Sequence, residues 1–307
     1  MRRRSSRPVR AALAVAAALT LPACEINLNT EGLTVREKRT FAVTGQPDVT
    51  LETFDGAVEI HSWDRNEVEV EIEKRGMEQA LLDQMTVEAE QQGDRIVVRV
   101  KEPSSSNERR VTVGVHISPG ARLFVAVPRK SVINARTGDG SIRVENVEGR
   151  IALRTGDGSV TAERISGDLE ARSGDGSISV DQAEGRLDVE TDDGSIAIDA
   201  RPSVLRARTG DGSITLQLAP ETVMADAWDL STGDGSVTVT LPPEFNAEID
   251  AETGDGSVRS SYPGLGASEE GEDSERRQRR RDLRARLGDG GPILKIRTSD
   301  GTIRFER

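Results

Sequence analysis

The sequence predicts an all-β chain folded as a single-chain β-solenoid (β-helix or β-roll-like) of about 18-residue two-strand coils, with one short helix near the N-terminal part. Three observations carry this expectation. A TGDGS-type string recurs every 18 residues, its copies opening at Arg136, Arg154, Arg172, Glu190 and Arg208. Between the copies, apolar and polar residues alternate with the period of a strand. Finally, the chain has 30 glycines, and aromatic residues supply only 3 % against an apolar share of 35 %. Its core must therefore be built from compact aliphatic side chains, which suits short strands and tight turns better than long helices.

Taking the repeat first, STGDGSV at Ser231 and ETGDGSV at Glu252 continue the series at wider spacings, RTSDGTI at Arg297 closes it, and ETFDGAV at Glu52 is a degenerate upstream copy. Within a coil, Ile142 and Val144 follow the turn and Ile151 and Leu153 precede the next, with a break near Gly149. The same positions hold Val160/Ala162 and Leu169/Ala171, Ile178/Val180 and Leu187/Val189, Ile196/Ile198 and Leu205/Ala207, and Ile214/Leu216 and Trp228/Leu230. Each coil thus offers two strands and two corners. Its few aliphatic side chains cannot offset the entropy of ordering a whole coil, so neighbouring coils must share hydrogen bonds and core.

The chain opens with Arg2, Arg3, Arg4, Arg7 and Arg10 and no acid, followed by an apolar run from Ala11 to Thr20. This is the pattern of an export signal, residues 1–23. Ten apolar residues are too few to span a bilayer. Leu21-Pro22-Ala23-Cys24 then resembles the lipobox at which bacterial lipoproteins are acylated on cysteine and cut before it, which makes Cys24 the expected lipid attachment and the membrane its expected partner. An ordinary secretory signal with an incidental cysteine is the alternative. Glu25, rather than Asp, implies by the same resemblance release to an outer membrane or cell surface where the cell has one. Acylation of the single cysteine would leave no thiol for disulfides or cysteine-rich metal sites. The formal net charge of −12, made more negative by loss of the five arginines, argues against nucleic acid as a partner.

Residues 24–39 read as a tether and 40–130 as the irregular N-terminal part of the solenoid. Strands are expected at Val49–Leu51, Val58–Ile60, Val68–Ile72, Ile96–Val100, Val111–Ile117 and Leu123–Val127, with helical spacing over Gly76–Met85 through Met77, Leu81 and Leu82. Regular coils fill 131–261. A disordered charged insertion is expected at 262–292, with acids from Glu269 to Glu275 followed by seven arginines between Arg276 and Arg286, and 293–307 reads as the terminal coil.

The candidate sites are the turn residues themselves: Gly138, Asp139 and Gly140; Gly156, Asp157 and Gly158; Gly174, Asp175 and Gly176; Gly210, Asp211 and Gly212; Gly233, Asp234 and Gly235; Gly254, Asp255 and Gly256. With Asp193 and Asp300 they would stack the aspartates about 4.8 Å apart. The repulsion, about 1 kcal/mol per neighbouring pair in water, needs no cation to relieve it. The glycines suit a turn needing positive φ, and the arginine ahead of most turns places positive charge beside the column. Calcium-binding β-rolls use two glycine-aspartate corners per coil, whereas this chain has one, so no metal or other cofactor is expected.

The serine or threonine after each turn, from Ser141 to Thr302, recurs in every copy, whereas catalysis needs one residue in one constellation. No GxSxG elbow is present, and His61 and His116 have no recurring partner. The turns lead into strands and lack the lysine of a phosphate loop. A β-helical carbohydrate-active enzyme is the remaining enzymatic alternative, although such enzymes have larger coils and long cleft-forming loops.

The run VGVHISPGARLFVAVPRKSVINARTGDGSIRVENVEGRIALRTGDGSV from Val113, with DGAVEIHSWDRNEVEVEIEKRG from Asp55, resembles the bacterial putative-adhesin family, over roughly Thr40 to Arg307. The resemblance implies an exported β-solenoid without a defined activity. The expectation is a non-enzymatic envelope scaffold contacting an envelope protein or glycan, the alternative being an accessory of envelope-stress or membrane signalling.

Overall fold

The computed structural model describes residues 25–29, 32–103, 119–265 and 281–307. Two ladders of strands run through it, joined at two lines of corners, and the core lies between them. One ladder holds the strands that enter the TGDGS turns, among them Glu148–Arg154, Ser166–Ser173, Trp228–Thr232 and Ile293–Thr298. The other holds the strands that leave them, among them Ile142–Glu145, Val160–Glu163, Ile214–Leu218 and Val237–Thr240. Pairing between these coils is parallel and in register, so that Ile142 lies beside Val160, Val160 beside Ile178, Ile178 beside Ile196 and Ile196 beside Ile214. Equivalent apolar side chains therefore form continuous buried columns. Every core residue closes a gap left by the coil on either side.

Coil length follows core volume. The regular coils bury Val, Ile, Leu and Ala, whereas the wider ones enclose Trp228, Phe245 and Phe305. The Trp228 and Phe245 rings lie 6.0 Å apart, and Trp228 Nε1 donates to the Ser203 carbonyl at 3.2 Å. Extra chain at the corner leaves room for the larger rings. In two coils the corner itself is extended, so that Ile178–Thr191 and Ile196–Thr209 each run as one 14-residue strand.

Both ends depart from sequence order. Strand Asp48–Thr53 pairs with Val132–Arg136 on one side and with Arg95–Lys101 on the other, so the later strand lies outside the earlier one. At the far end Ile293–Thr298 lies between Trp228–Thr232 and Ala247–Thr253, and Thr302–Glu306 lies between Val237–Thr240 and Ser257–Ser260. The segment 293–307 is thus an interior coil, not the last one. Within the expected insertion, Asp282–Leu287 is an antiparallel strand on Ala247–Thr253, and Tyr262 and Leu265 are buried; 266–280 lie outside the described residues.

The stretch expected as a tether carries strands Glu25–Asn29 and Gly32–Ala42, antiparallel to each other, and the second also pairs antiparallel with Glu67–Gly76. Cross-strand ion pairs join Lys38 to Glu69 at 2.6 Å, Lys74 to Glu37 at 3.0 Å, and Arg36 to Glu73 at 2.6 Å. Apolar periodicity is weak in such strands because opposite charges share the work of pairing. The helix is shorter than the spacing predicts, Gln79–Gln84, with Leu82 buried and Met77 half exposed. Thr86–Gln92 adds a strand on Arg95–Lys101, and the expected strand Val111–Ile117 lies outside the described residues.

Glu73 is buried, which by itself would raise its pKa, but the hydrogen bond from Arg36 and the charges of Arg75 and Arg36 outweigh burial and hold it below its ordinary 4.5. A carboxylate depressed in the folded state contributes stability above its unfolded pKa and loses it as pH falls through the folded value. Glu73→Gln should therefore lower stability at pH 7 by about 1–3 kcal/mol, with the deficit shrinking toward pH 3. Denaturant unfolding across that pH range checks it, and a pH-independent deficit would contradict the ionic account.

Candidate functional site

The turn ridge is the feature that every coil shares. The residue that opens each turn, the Thr or Ser two positions before the Asp-Gly pair, is buried at Thr137, Thr155, Ser173, Thr191, Thr209, Thr232, Thr253 and Thr298. Thr191 Oγ1 lies 2.9 Å from both the Gly174 and Gly176 carbonyls of the preceding coil and accepts the Gly194 N–H at 3.3 Å. Ser173 contacts Gly156 and Gly158 in the same way, and Thr155 contacts Gly138 and Gly140. Thr137 reaches the Gly56 carbonyl at 2.9 Å, and Thr298 reaches Gly235 at 2.8 Å. A single hydroxyl thus ties its own turn to the one beneath it.

The glycines are required for a different reason than positive φ. Among the described residues the left-handed glycines include Gly149, Gly167 and Gly185 at the opposite corner, and of the glycines flanking the column's aspartates only Gly56, after Asp55, at φ 133°. At the turns the neighbouring backbone stands too close for a side chain. A Cβ on Gly176 would lie 2.0 Å from the Gly158 carbonyl oxygen, and one on Gly212 would lie 2.0 Å from that of Gly194. The same contact recurs from Gly140 against Gly56 to Gly301 against Gly235. Gly138, Gly156, Gly174, Gly210, Gly233 and Gly254 face a carbonyl of the adjacent coil at 2.2 to 2.8 Å.

Asp139, Asp157, Asp175, Asp193, Asp211, Asp234, Asp255 and Asp300 are exposed along the ridge. Asp55 begins this column, and burial together with the charges of Asp139 and Glu102 raises its pKa. The arginines expected beside the column turn to other partners: Arg154 to Glu170 at 2.5 Å, Arg172 to Glu190 at 3.3 Å, Arg208 to Asp229 at 3.2 Å and Arg297 to Asp250 at 2.7 Å. Among the described residues no group of three or more His, Cys, Asp or Glu side chains is placed to hold a metal ion. The serines after the turns also join the scaffold, Ser177, Ser195 and Ser213 each accepting the N–H of the serine in the next coil at 3.3 Å. His61 is exposed on the second ladder beside Glu145, while Cys24 and His116 lie outside the described residues.

The break expected near Gly149 is the opposite corner, and what escaped the sequence reading is its backbone conformation. Asn146, Arg164 and Gln182, again 18 residues apart, adopt left-handed φ of 58°, 55° and 52°, each three residues ahead of Gly149, Gly167 or Gly185. That spacing was the available signal, masked because the three residue types differ. Arg164 Nε donates to Asn146 Oδ1 at 2.6 Å, and the corner borders a groove of about 550 Å³.

Residues 47–306 match the family described as Toastrack DUF4097. The chain belongs to this family. Among solved structures, a putative adhesin from Parabacteroides merdae is 10 % identical, with 89 % of this Toastrack chain and 96 % of that one covered and a TM-score of 0.48. A putative adhesin from Bacteroides fragilis is 10 % identical over 88 % and 96 % with a TM-score of 0.42, and a putative lipid binding protein from Parabacteroides distasonis is 14 % identical over 89 % and 97 % with a TM-score of 0.42. No protein with a curated description matches the chain.

The hydroxyl ladder is directly testable. Thr191→Val keeps the shape but strands two carbonyls and an amide, and should cost about 1–3 kcal/mol. Thr191→Ser, which restores the group that coil 173 already uses, should recover most of that in urea unfolding. Equal losses for the two variants would assign the effect to the methyl group instead.

Proposed function

We propose that this Toastrack protein is a non-enzymatic, lipid-anchored component of the bacterial cell envelope, whose solenoid serves as a binding scaffold for an envelope protein or glycan. The observation that carries this reading is the join between the export signal and the fold: strand Glu25–Asn29 begins at the residue after Cys24. An acyl group on Cys24 would then hold the N-terminal end of the ladders at the bilayer surface without an intervening tether. No helix among the described residues is long and apolar enough to cross a membrane.

A scaffold role is supported by what the repeats share. Side chains that recur in each coil, hydroxyls bound to backbone and arginines bound to carboxylates, contribute to stacking rather than to one reactive arrangement. Contacts with a partner would come from the outward faces of the ladders and from the corners. The adhesin names of the structural neighbours agree with an exported surface protein of this kind.

Cys24→Ala should move the chain from the membrane fraction to the soluble fraction of lysed cells. Retention in the membrane would reject the anchor. Protease added to intact cells should degrade the solenoid if it faces outward, whereas full protection would reject surface adhesion and favour a partner on the inner side of the envelope.

A further inference from the structure

Two of the wider coils share a corner motif that the regular coils lack. Leu218-Ala219-Pro220-Glu221 and Leu241-Pro242-Pro243-Glu244 stand 23 residues apart, and they follow strands that pair in register, with Gln217 beside Thr240, so the two corners stack. In each, proline and glutamate occupy a tight turn, and the glutamate is left-handed, at φ 61° in Glu221 and 63° in Glu244. Proline before a left-handed residue is the order that a type II turn calls for, and glycine is the unstrained occupant of the second place. Both coils hold a carboxylate there instead. Backbone strain kept at the same place in two coils points to a use for the side chain. The two turns border a second groove, also of about 550 Å³ and separate from the one beside Asn146 and Arg164.

We propose that this groove binds an organic ammonium ion, a charged amine carried on a compact apolar body. Its volume falls within the usual range for a small-molecule site. Apolar surface is open to such a ligand: Val223 is 76 % exposed, Pro220 and Pro243 are exposed as well, and the buried Met224 and Phe245 complete the lining. The exposed Glu221 and Glu244 carboxylates have no ion-pair or hydrogen-bond partner among the described residues. No lysine or arginine lines the groove, so nothing in it competes with an ammonium for them. Donors, by contrast, are scarce. Four of the lining residues are prolines, which have no N–H, and the Thr222 hydroxyl donates to the Ala219 carbonyl at 2.6 Å. An anion of the same shape would meet two carboxylates and little to bond it, whereas a polyamine without an apolar body leaves the exposed Val223 and prolines in water. A ligand with both parts uses the whole site.

The test is a saturation-transfer NMR titration of the full chain, in a neutral detergent, with phenethylammonium. The matching probes are 3-phenylpropionate, which has the same body and the opposite charge, and 1,4-diaminobutane, which has the charge without the body. Phenethylammonium should bind saturably and the other two at least about tenfold more weakly. Glu221→Gln with Glu244→Gln should weaken phenethylammonium binding by about tenfold, and Val223→Ser should weaken it too, whereas Glu90→Gln on the distant strand Thr86–Gln92 should leave it unchanged. The substituted side chains are exposed, and an unchanged thermal midpoint confirms that the variants fold. Absence of saturable binding, equal binding of either matching probe, binding unmoved by the double substitution, or an equal loss in Glu90→Gln would each overturn the site. The groove stands apart from the anchored-scaffold reading, which is tested by the fractionation of Cys24→Ala and is untouched by any of these results.

Discussion

The close approach of one backbone to the next at the TGDGS turn is the constraint from which the rest of the molecule follows. Carbonyl oxygens of one coil sit where the Cβ atoms of the next would be, 2.0 Å from the built position at Gly176 and Gly212. Only glycine permits that approach, and only a short hydroxyl side chain beside it can bond the two carbonyls of the turn beneath. Gly-x-Gly preceded by Thr or Ser is therefore a stacking device. It fixes the register of both ladders at once, since the strand entering the turn and the strand leaving it are displaced by the same step. Apolar columns then align without further specification, and the aspartate between the glycines is left on the outside, where a small polar residue is cheapest.

This explains which parts of the fold were legible. Every coil must solve the same steric problem in the same way, so the turn string survives almost unchanged from Arg136 to Arg297 and reports the solenoid directly. The end strands carry no such demand. Gly32–Ala42 is held through Arg36, Lys38 and Glu37 to acids and a lysine on Glu67–Gly76, a charged pattern that in a linear reading looks like a solvated tether. Asp282–Leu287 is similar: Leu283 and Leu287 are buried, but arginines between and beside them hide the strand in a charged run. The candidate turn residues were legible by position and misread in mechanism, because glycine abundance suggests φ freedom when the real demand is backbone proximity. The second corner was less legible still, since Asn146, Arg164 and Gln182 share a conformation without sharing a side chain.

The order of coils was not legible at all, and the reason lies in the regularity itself. A turn that stacks on any other turn carries no address. Gly301 meets Gly235 below it, and Gly256 meets Gly301, through contacts of the same length as those within the regular array. Local sequence therefore cannot distinguish the interior position of 293–307 from a terminal one. What distinguishes them is the outer cover: Asp282–Leu287 pairs antiparallel with Ala247–Thr253 and closes that ladder's edge before the chain turns back inside. Antiparallel strands end the parallel ladders at the other end too, where Thr86–Gln92 covers Arg95–Lys101 and Glu67–Gly76 covers Gly120–Pro128. Exposed parallel edges invite pairing with other chains, and reversing the strand direction over them closes the array.

Interleaving at both ends alters how the array holds together. In a linear repeat protein each unit touches only its sequence neighbours, and terminal units fray without disturbing the interior. Here the coil formed by 293–306 bonds on one side to 228–240 and on the other to 247–260, so the outermost coil depends on residues that arrive after it in the chain. At the N-terminal end the strands 48–63 are likewise enclosed by strands up to 128 and by 132–145. Neither end can settle until a more distant segment has taken its place, which raises the sequence separation of the contacts and makes the ends cooperative with the middle. A fold assembled from interchangeable coils is thereby given fixed ends, and the long ladder faces between them are held still enough to present a continuous surface.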